Sequence, residues 1–457
     1  MKLTHLFPTL NHWSNLLTLS CVLFVSLIGI LVITETVDAH ANVVKSSPAA
    51  DSIIDYTPDK IIIWFTEPLE PKISEIRVLD LEGRQVDNGD SSVDSYDSRI
   101  MYVSIPRLSE GSYTVAWKNV SMVDGHNVRG SFIFSIGVPS SDLLQHDLPE
   151  QSLFQYRAEP IVRWLLLLSA LTMVGSLFFE QMVISPILTR RPPDAAMVHL
   201  KKLVRTRIFI LIRGAMSIFL LASLAQLIYQ TSQTYDTSIS EALENNIVSV
   251  LIDTNWGRMW LWRMVGFLLM FSLIILTLRY KYSRHNERIK SVSFILGLGI
   301  LLTFSLTSHA AATPEVSTIA IINDYLHLLS SAIWIAGIFC FSLTTAIVIN
   351  TLTGSMRRYV MSSLMARFSF LACISVAILA VTGLYSAWAQ VTVLPALRVP
   401  YGIALISKLV IIVPLLTLGT LNILWIHRQL RRKERAAHWL LCIVNVESVF
   451  AIILLLH

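Results

Sequence analysis

Cysteine is scarce in this 457-residue chain, and it is missing where an exported domain would use it. Of the four cysteines, Cys21 lies in the first 39 residues and Cys340, Cys373 and Cys442 lie in long apolar segments, so residues 40–140 hold none. That stretch therefore has neither a disulfide framework nor a thiolate metal site. No Walker A sequence and no ATPase-like soluble stretch occurs, which excludes direct coupling to nucleotide hydrolysis. Charged residues make up only 15% of the chain, and the net charge of +5 comes from Lys and Arg gathered in a few short loops. Such loops cannot track a phosphate backbone, so nucleic acid is excluded as a partner.

Apolar residues fill the space that charge leaves. They make up 54% of the chain, with a mean hydropathy of +0.60, and beyond about residue 160 they come in long runs. A soluble core needs far less, so the lipid bilayer is the expected surrounding of this part. Residues 40–150 instead alternate short apolar stretches with Asp, Ser, Gly and Pro, as a soluble domain does. The expected divisions are a signal peptide over 1–39, an outer domain over 40–140, a linker over 141–159 and a membrane domain over 160–457.

The leader reading rests on Lys2, the apolar run Leu16 to Ile33 and the small-residue pattern Val37-Asp38-Ala39. Cleavage there would make His40 the new N-terminus. An uncleaved anchor helix is the alternative, since the run is close to the length that spans a bilayer.

In the outer domain, runs rich in β-branched and aromatic residues recur over 60–65, 75–79, 99–105, 113–120 and 129–136. Turn pairs separate several of them, among them Asn88-Gly89 and Asp124-Gly125. This spacing predicts a small all-β sandwich or barrel. Trp64, Phe65, Tyr113, Trp117, Phe132 and Phe134 are its expected core.

After residue 160, eight apolar segments near 161–186, 208–230, 258–280, 291–310, 319–349, 367–389, 402–426 and 438–456 are long enough to cross a membrane. The loops 190–207, 279–290, 350–367 and 427–437 hold 19 Lys and Arg, whereas 231–257, 311–318 and 390–401 hold only Arg398. The basic loops are therefore expected on the cytoplasmic side, with the β-domain outside. The acidic 231–257 stretch reads as a solvated loop that could raise local cation concentration.

Polar groups at membrane depth are costly, which singles out Glu180, Arg263, His309, Asp324, His327, Lys408, Asn422 and Glu447. Asp324, His327, Ser331 and Trp334 share a helical face, and His309 ends the preceding span. An imidazole–carboxylate set of this kind can bind a transition metal or relay protons. It can equally cap a helix or anchor it among lipid headgroups. Scattered methionines such as Met259, Met264, Met361 and Met365 read as packing and are given no metal role.

Several segments carry a resemblance to known families. His40-Ala41, Ser47-Pro48-Ala49, Trp64-Phe65-Thr66-Glu67-Pro68, the run from Gly111 to Trp117, and Val123-Asp124-Gly125-His126 followed by Gly130-Ser131-Phe132 resemble the copper-resistance CopC domain. The resemblance implies a Greek-key, immunoglobulin-like sandwich that holds Cu(II) with His40, Asp124, His126 and, in some members, Glu67. Ser308-His309-Ala310, Asp324-x-x-His327 with Trp334 to Gly337, Arg367-Phe368-Ser369, Thr382-Gly383, and Tyr401-Gly402 leading to Lys408 resemble the CopD membrane family, as does Asn255-Trp256-Gly257-Arg258. One departure is Ala336, where that family often has Gly, which weakens an argument from close helix packing there. The whole is similar to CopC–CopD fusions assigned to copper uptake.

The donor chemistry agrees with that resemblance. A free α-amino group and its own imidazole form a chelate, and a second imidazole completes a nitrogen-rich plane that suits tetragonal Cu(II). On an extended segment Asp124 and His126 would point to one side, so that both reach one ion or the carboxylate orients the ring. Taken alone, Asp124-Gly125 marks a hairpin turn and leaves His126 a bystander. Some CopC domains add a Met-rich Cu(I) site, whereas residues 85–106 contain only Met101 here. A single Cu(II) site is therefore expected.

The leading expectation is copper capture outside followed by import, with His309, Asp324 and His327 receiving the ion at the bundle mouth. A second makes the protein a chaperone or store that supplies extracytoplasmic cuproproteins. A third, a haem or copper redox enzyme, is set aside in favour of a non-enzyme.

Overall fold

The computed structural model of the protein describes residues 41–137, 153–189, 195–235, 237–279, 284–308, 317–390, 400–430 and 436–455. The expected signal peptide, His40, most of the expected linker and His309 lie outside the described residues.

Eight strands form the N-terminal domain: β1 Val43–Ser47, β2 Ser52–Ile54, β3 Lys60–Phe65, β4 Glu75–Leu79, β5 Ser92–Val93, β6 Ile100–Ser104, β7 Gly111–Val120 and β8 Asn127–Ile136. They make two four-stranded sheets, ordered β1-β3-β6-β5 and β2-β8-β7-β4. All pairs are antiparallel except β2 with β8. The period-2 patterning dictates this arrangement. Ile61, Ile63 and Phe65 face inward from β3, Ile76 and Val78 from β4, and Met101 and Val103 from β6, and all are buried. Each such aliphatic side chain contributes about 1.5–3 kcal/mol of burial.

Phe134 is stacked on Tyr113 at 5.7 Å between ring centroids, and Phe65 meets Trp117 edge-on at 5.8 Å. Trp64 departs from the expected core. It lies on the outward face of β3, where Lys45 Nζ sits 4.5 Å from its ring centroid.

Among the described residues, eight helices are long and apolar enough to cross a membrane: α1 Glu159–Leu188, α2 Ala195–Tyr235, α3 Asn255–Thr277, α4 Asn286–Ser305, α5 Thr318–Thr351, α6 Gly354–Trp388, α7 Ile406–Leu430 and α8 Ala436–Leu454. The helix that carries α1 begins at Leu153, inside the expected linker. Residues 237–253, expected as a solvated loop, are largely helical and include the short helix Ile247–Asp253. Asp253 there is ion-paired with Lys72 of the β-domain.

The β-domain sits on the end of the bundle formed by the start of α1, the end of α2 and the start of α3. Glu70 Oε1 accepts the Asn255 backbone N–H at 2.6 Å, and Asn127 Nδ2 donates to the Gln233 carbonyl at 3.0 Å. Gln230 Nε2 donates to the Gly125 carbonyl at 2.6 Å. These contacts bring the turn between β7 and β8 down onto the helices.

Candidate metal site

The turn owes its form to Gly125, whose φ of +74° is open to glycine but costly to other residues. Asp124 folds back across it: Oδ1 accepts the His126 backbone N–H at 3.0 Å, and Oδ2 lies 2.9 Å from His126 Nδ1. The pair is therefore joined by a turn rather than by the extended i, i+2 geometry expected from the sequence. On the other side of the ring, His126 Nε2 is 3.1 Å from Oε1 of Glu159 in the first turn of α1. Burial on its own would lower the His126 pKa. Asp124 and Glu159, one on each nitrogen, more than reverse this and raise it to about 10. A metal would take this imidazole only by displacing its proton.

Glu67 follows β3 and is buried, with Oε2 accepting the Ser121 hydroxyl at 2.7 Å. Burial pushes its carboxyl above the usual range against the pull of Ser121, and the charges of Asp124 and His126 both reach it. The chain just after His40 is pinned beside this group. Ala41 is buried, its carbonyl accepts Asn119 Nδ2 at 2.8 Å, and Asn42 N donates to Thr66 Oγ1 at 3.0 Å. Three of the four expected outer donors thus gather at one corner of the sandwich. Among the described residues, no group of three or more His, Cys, Asp and Glu forms a ready-made metal cage. Met101 is fully buried in the sandwich core.

Beneath the turn lies a cavity of about 180 Å³. Asp124, His126 and Glu159 line it together with Gln226, Trp256, Arg263, Ser308 and Asp324. The helical face predicted for α5 does not deliver a common ligand set. Asp324 lines the cavity, whereas His327 turns to α6, with Nδ1 2.8 Å from Thr382 Oγ1. That hydroxyl gives its own proton to the Ile378 carbonyl at 2.8 Å, so it accepts from Nδ1–H and leaves His327 Nε2 as the bare nitrogen.

Sequence reasoning missed Glu159, placed in the linker, and Gln226. A carboxylate opening an apolar span at the end that faces the β-domain was the one available signal for Glu159. Nothing local marks Gln226. Ala336 was expected to weaken an argument from close helix packing, yet helices do approach there. Gly175 of α1 lies against it so closely that an added Cβ would stand 2.6 Å from the Ala336 Cβ.

A β-sandwich with a histidine–carboxylate corner, seated on eight apolar helices among the described residues, defines a multi-pass membrane protein with an outer domain. The comparisons name the metal. Residues 43–137 match the CopC domain, 156–319 the copper resistance protein D-like N-terminal domain, and 362–457 copper resistance protein D. The copper transport protein CutJ of Bacillus subtilis (strain 168) is 27% identical over 416 residues, covering 90% of this chain and 71% of that one. Protein YobA of Escherichia coli (strain K12) is 30% identical over 105 residues, covering 23% of this chain and 84% of YobA. The crystal structure of CopC from Methylosinus trichosporium OB3b shares 30% identity and covers 23% of this chain and 100% of that one, with a TM-score of 0.21. The chain belongs to the CopC–CopD fusion family and is a copper-handling membrane protein.

Proposed function

We propose that the β-domain captures Cu(II) on the extracytoplasmic side through His40, Asp124, His126 and Glu67 and passes it into the helical bundle for import. One observation carries this reading: His126 belongs at once to the carboxylate corner of the β-domain and to the wall of the cavity beneath it. An ion released by that imidazole has Glu159 and then Asp324 within the same cavity. The nitrogen and oxygen donors suit Cu(II), and the bare Nε2 of His327 offers imidazole further on. The basic connections between the spans support an extracytoplasmic β-domain.

Capture is tested on full-length protein by copper stoichiometry and electron spin resonance, comparing a chain that begins at His40 with one keeping a residue before it. Weaker binding and an altered spectrum are expected for the longer chain, and equal behaviour would remove His40 from the site. Isotopic copper uptake into proteoliposomes separates import from a chaperone or storage role. A His309→Ala, His327→Ala double variant should accumulate copper several-fold more slowly than wild type. Uptake at the wild-type rate would discard the inner site.

A further inference from the structure

The wall of the cavity carries a charge that copper capture does not use. Arg263 of α3 is 1% exposed. Its Nε donates to Thr303 Oγ1 at 2.9 Å, and its Nη2 to the Thr303 carbonyl at 3.3 Å and to Thr307 Oγ1 at 3.4 Å. The guanidinium carbon lies 3.8 Å from the Phe304 ring centroid. All of these partners are neutral, and Nη1 has no hydrogen-bond partner. Two acceptors on residues lining the same cavity are also unmatched: Oε1 of Gln226 and Oδ2 of Asp324.

This set discriminates among ligands. A bare divalent cation would suit Asp324 and Gln226, but the like charge of Arg263 on the wall of the same cavity would repel it. A simple anion would suit Arg263 and be repelled by Asp324. A cation that carries its own carboxylate answers all three, because guanidinium matches the planar carboxylate and the metal end meets the acceptors.

We propose that copper occupies this cavity as a complex with a small amino-acid-type carboxylate, the carboxylate on Arg263 and the metal toward Asp324 and Gln226. The inference rests on the copper reading of the cavity and names the form in which the cargo enters it.

The test uses full-length protein in lipid nanodiscs and three probes: radiolabelled glycine alone, isotopic Cu(II) alone, and the two together. Glycine is retained only when copper is present, and Arg263→Gln lowers the glycine bound per copper at least tenfold. Glycine binding without copper, or the same ratio in Arg263→Gln, overturns the proposal. If Arg263→Gln does not fold, Leu328→Trp fills the cavity with the guanidinium intact and should also expel glycine. Undiminished glycine binding in that variant overturns the proposal too. Copper binding with no glycine in wild type sinks this inference alone, whereas a wild type that binds no copper sinks capture as well.

Discussion

His126 is held between two carboxylates that come from different domains, and Gly125 makes this possible. An added Cβ at Gly125 would stand 2.7 Å from Gln230 Nε2 and 3.4 Å from the Trp256 Cβ, on a backbone at φ +74°. Gly125→Ala should therefore lose about 1–2 kcal/mol to the left-handed conformation and about 1 kcal/mol more through the Gln230 hydrogen bond. Gln230→Ala should lose only the second amount. Thermal unfolding of both full-length variants checks the order, and a Gly125→Ala variant as stable as Gln230→Ala would contradict it. Asp124, His126 and Glu67 were legible in the sequence because short motifs carry them. Glu159, Gln226 and the cavity-facing place of Arg263 were not, because each reaches the site from a separate helix and only tertiary packing unites them.

Helices of this length were readable from hydropathy alone, since twenty or so apolar residues have few other uses. Their irregularities were not. Among the described residues, π-turns interrupt three spanning helices, at Glu180–Ile184, Ala332–Ala336 and Asn422–Ile426, and another lies between α2 and α3 at Ala242–Asn246. Each inserts one residue, and neither Pro nor Gly lies within any of them. The first presents Glu180, 1% exposed, to Lys290 Nζ and Arg205 Nε, both at 2.9 Å, at the end of the bundle away from the β-domain. Glu180→Ala would leave the buried Lys290 with only half-exposed Glu287 and should destabilise the protein by about 3 kcal/mol. A melting temperature within a degree or two of wild type would show that Glu287 alone compensates. Short strands escaped notice for a related reason. β2 and β5 are only two or three residues long, too few to display alternation, β1 has only Val43 and Val44 as apolar residues, and their neighbours in the sheet define all three.

Across the whole molecule, the β-domain behaves as a cap whose seat includes an ionisable group. Glu70 is 3% exposed and accepts the Asn255 N–H, with Arg258 and Asp253 of the helical domain within electrostatic reach. Burial raises its carboxyl above the ordinary 4.5, and the Asn255 N–H only partly offsets this. A carboxyl raised in the folded state holds its proton more tightly folded than unfolded. Its contribution is therefore complete below 4.5 and declines as pH rises through the raised value. Glu70→Gln keeps an oxygen for the Asn255 N–H and removes the ionisation. Melting temperatures of the two full-length proteins should coincide in acid, and the wild type should fall below Glu70→Gln toward neutral pH. Parallel curves across that range would mean that Glu70 titrates alike in the folded and unfolded chain, and a wild type rising above Glu70→Gln would mean that Arg258 holds Glu70 ionised in its seat. The interface would then be an ion-pair lock, tightening rather than loosening as pH rises.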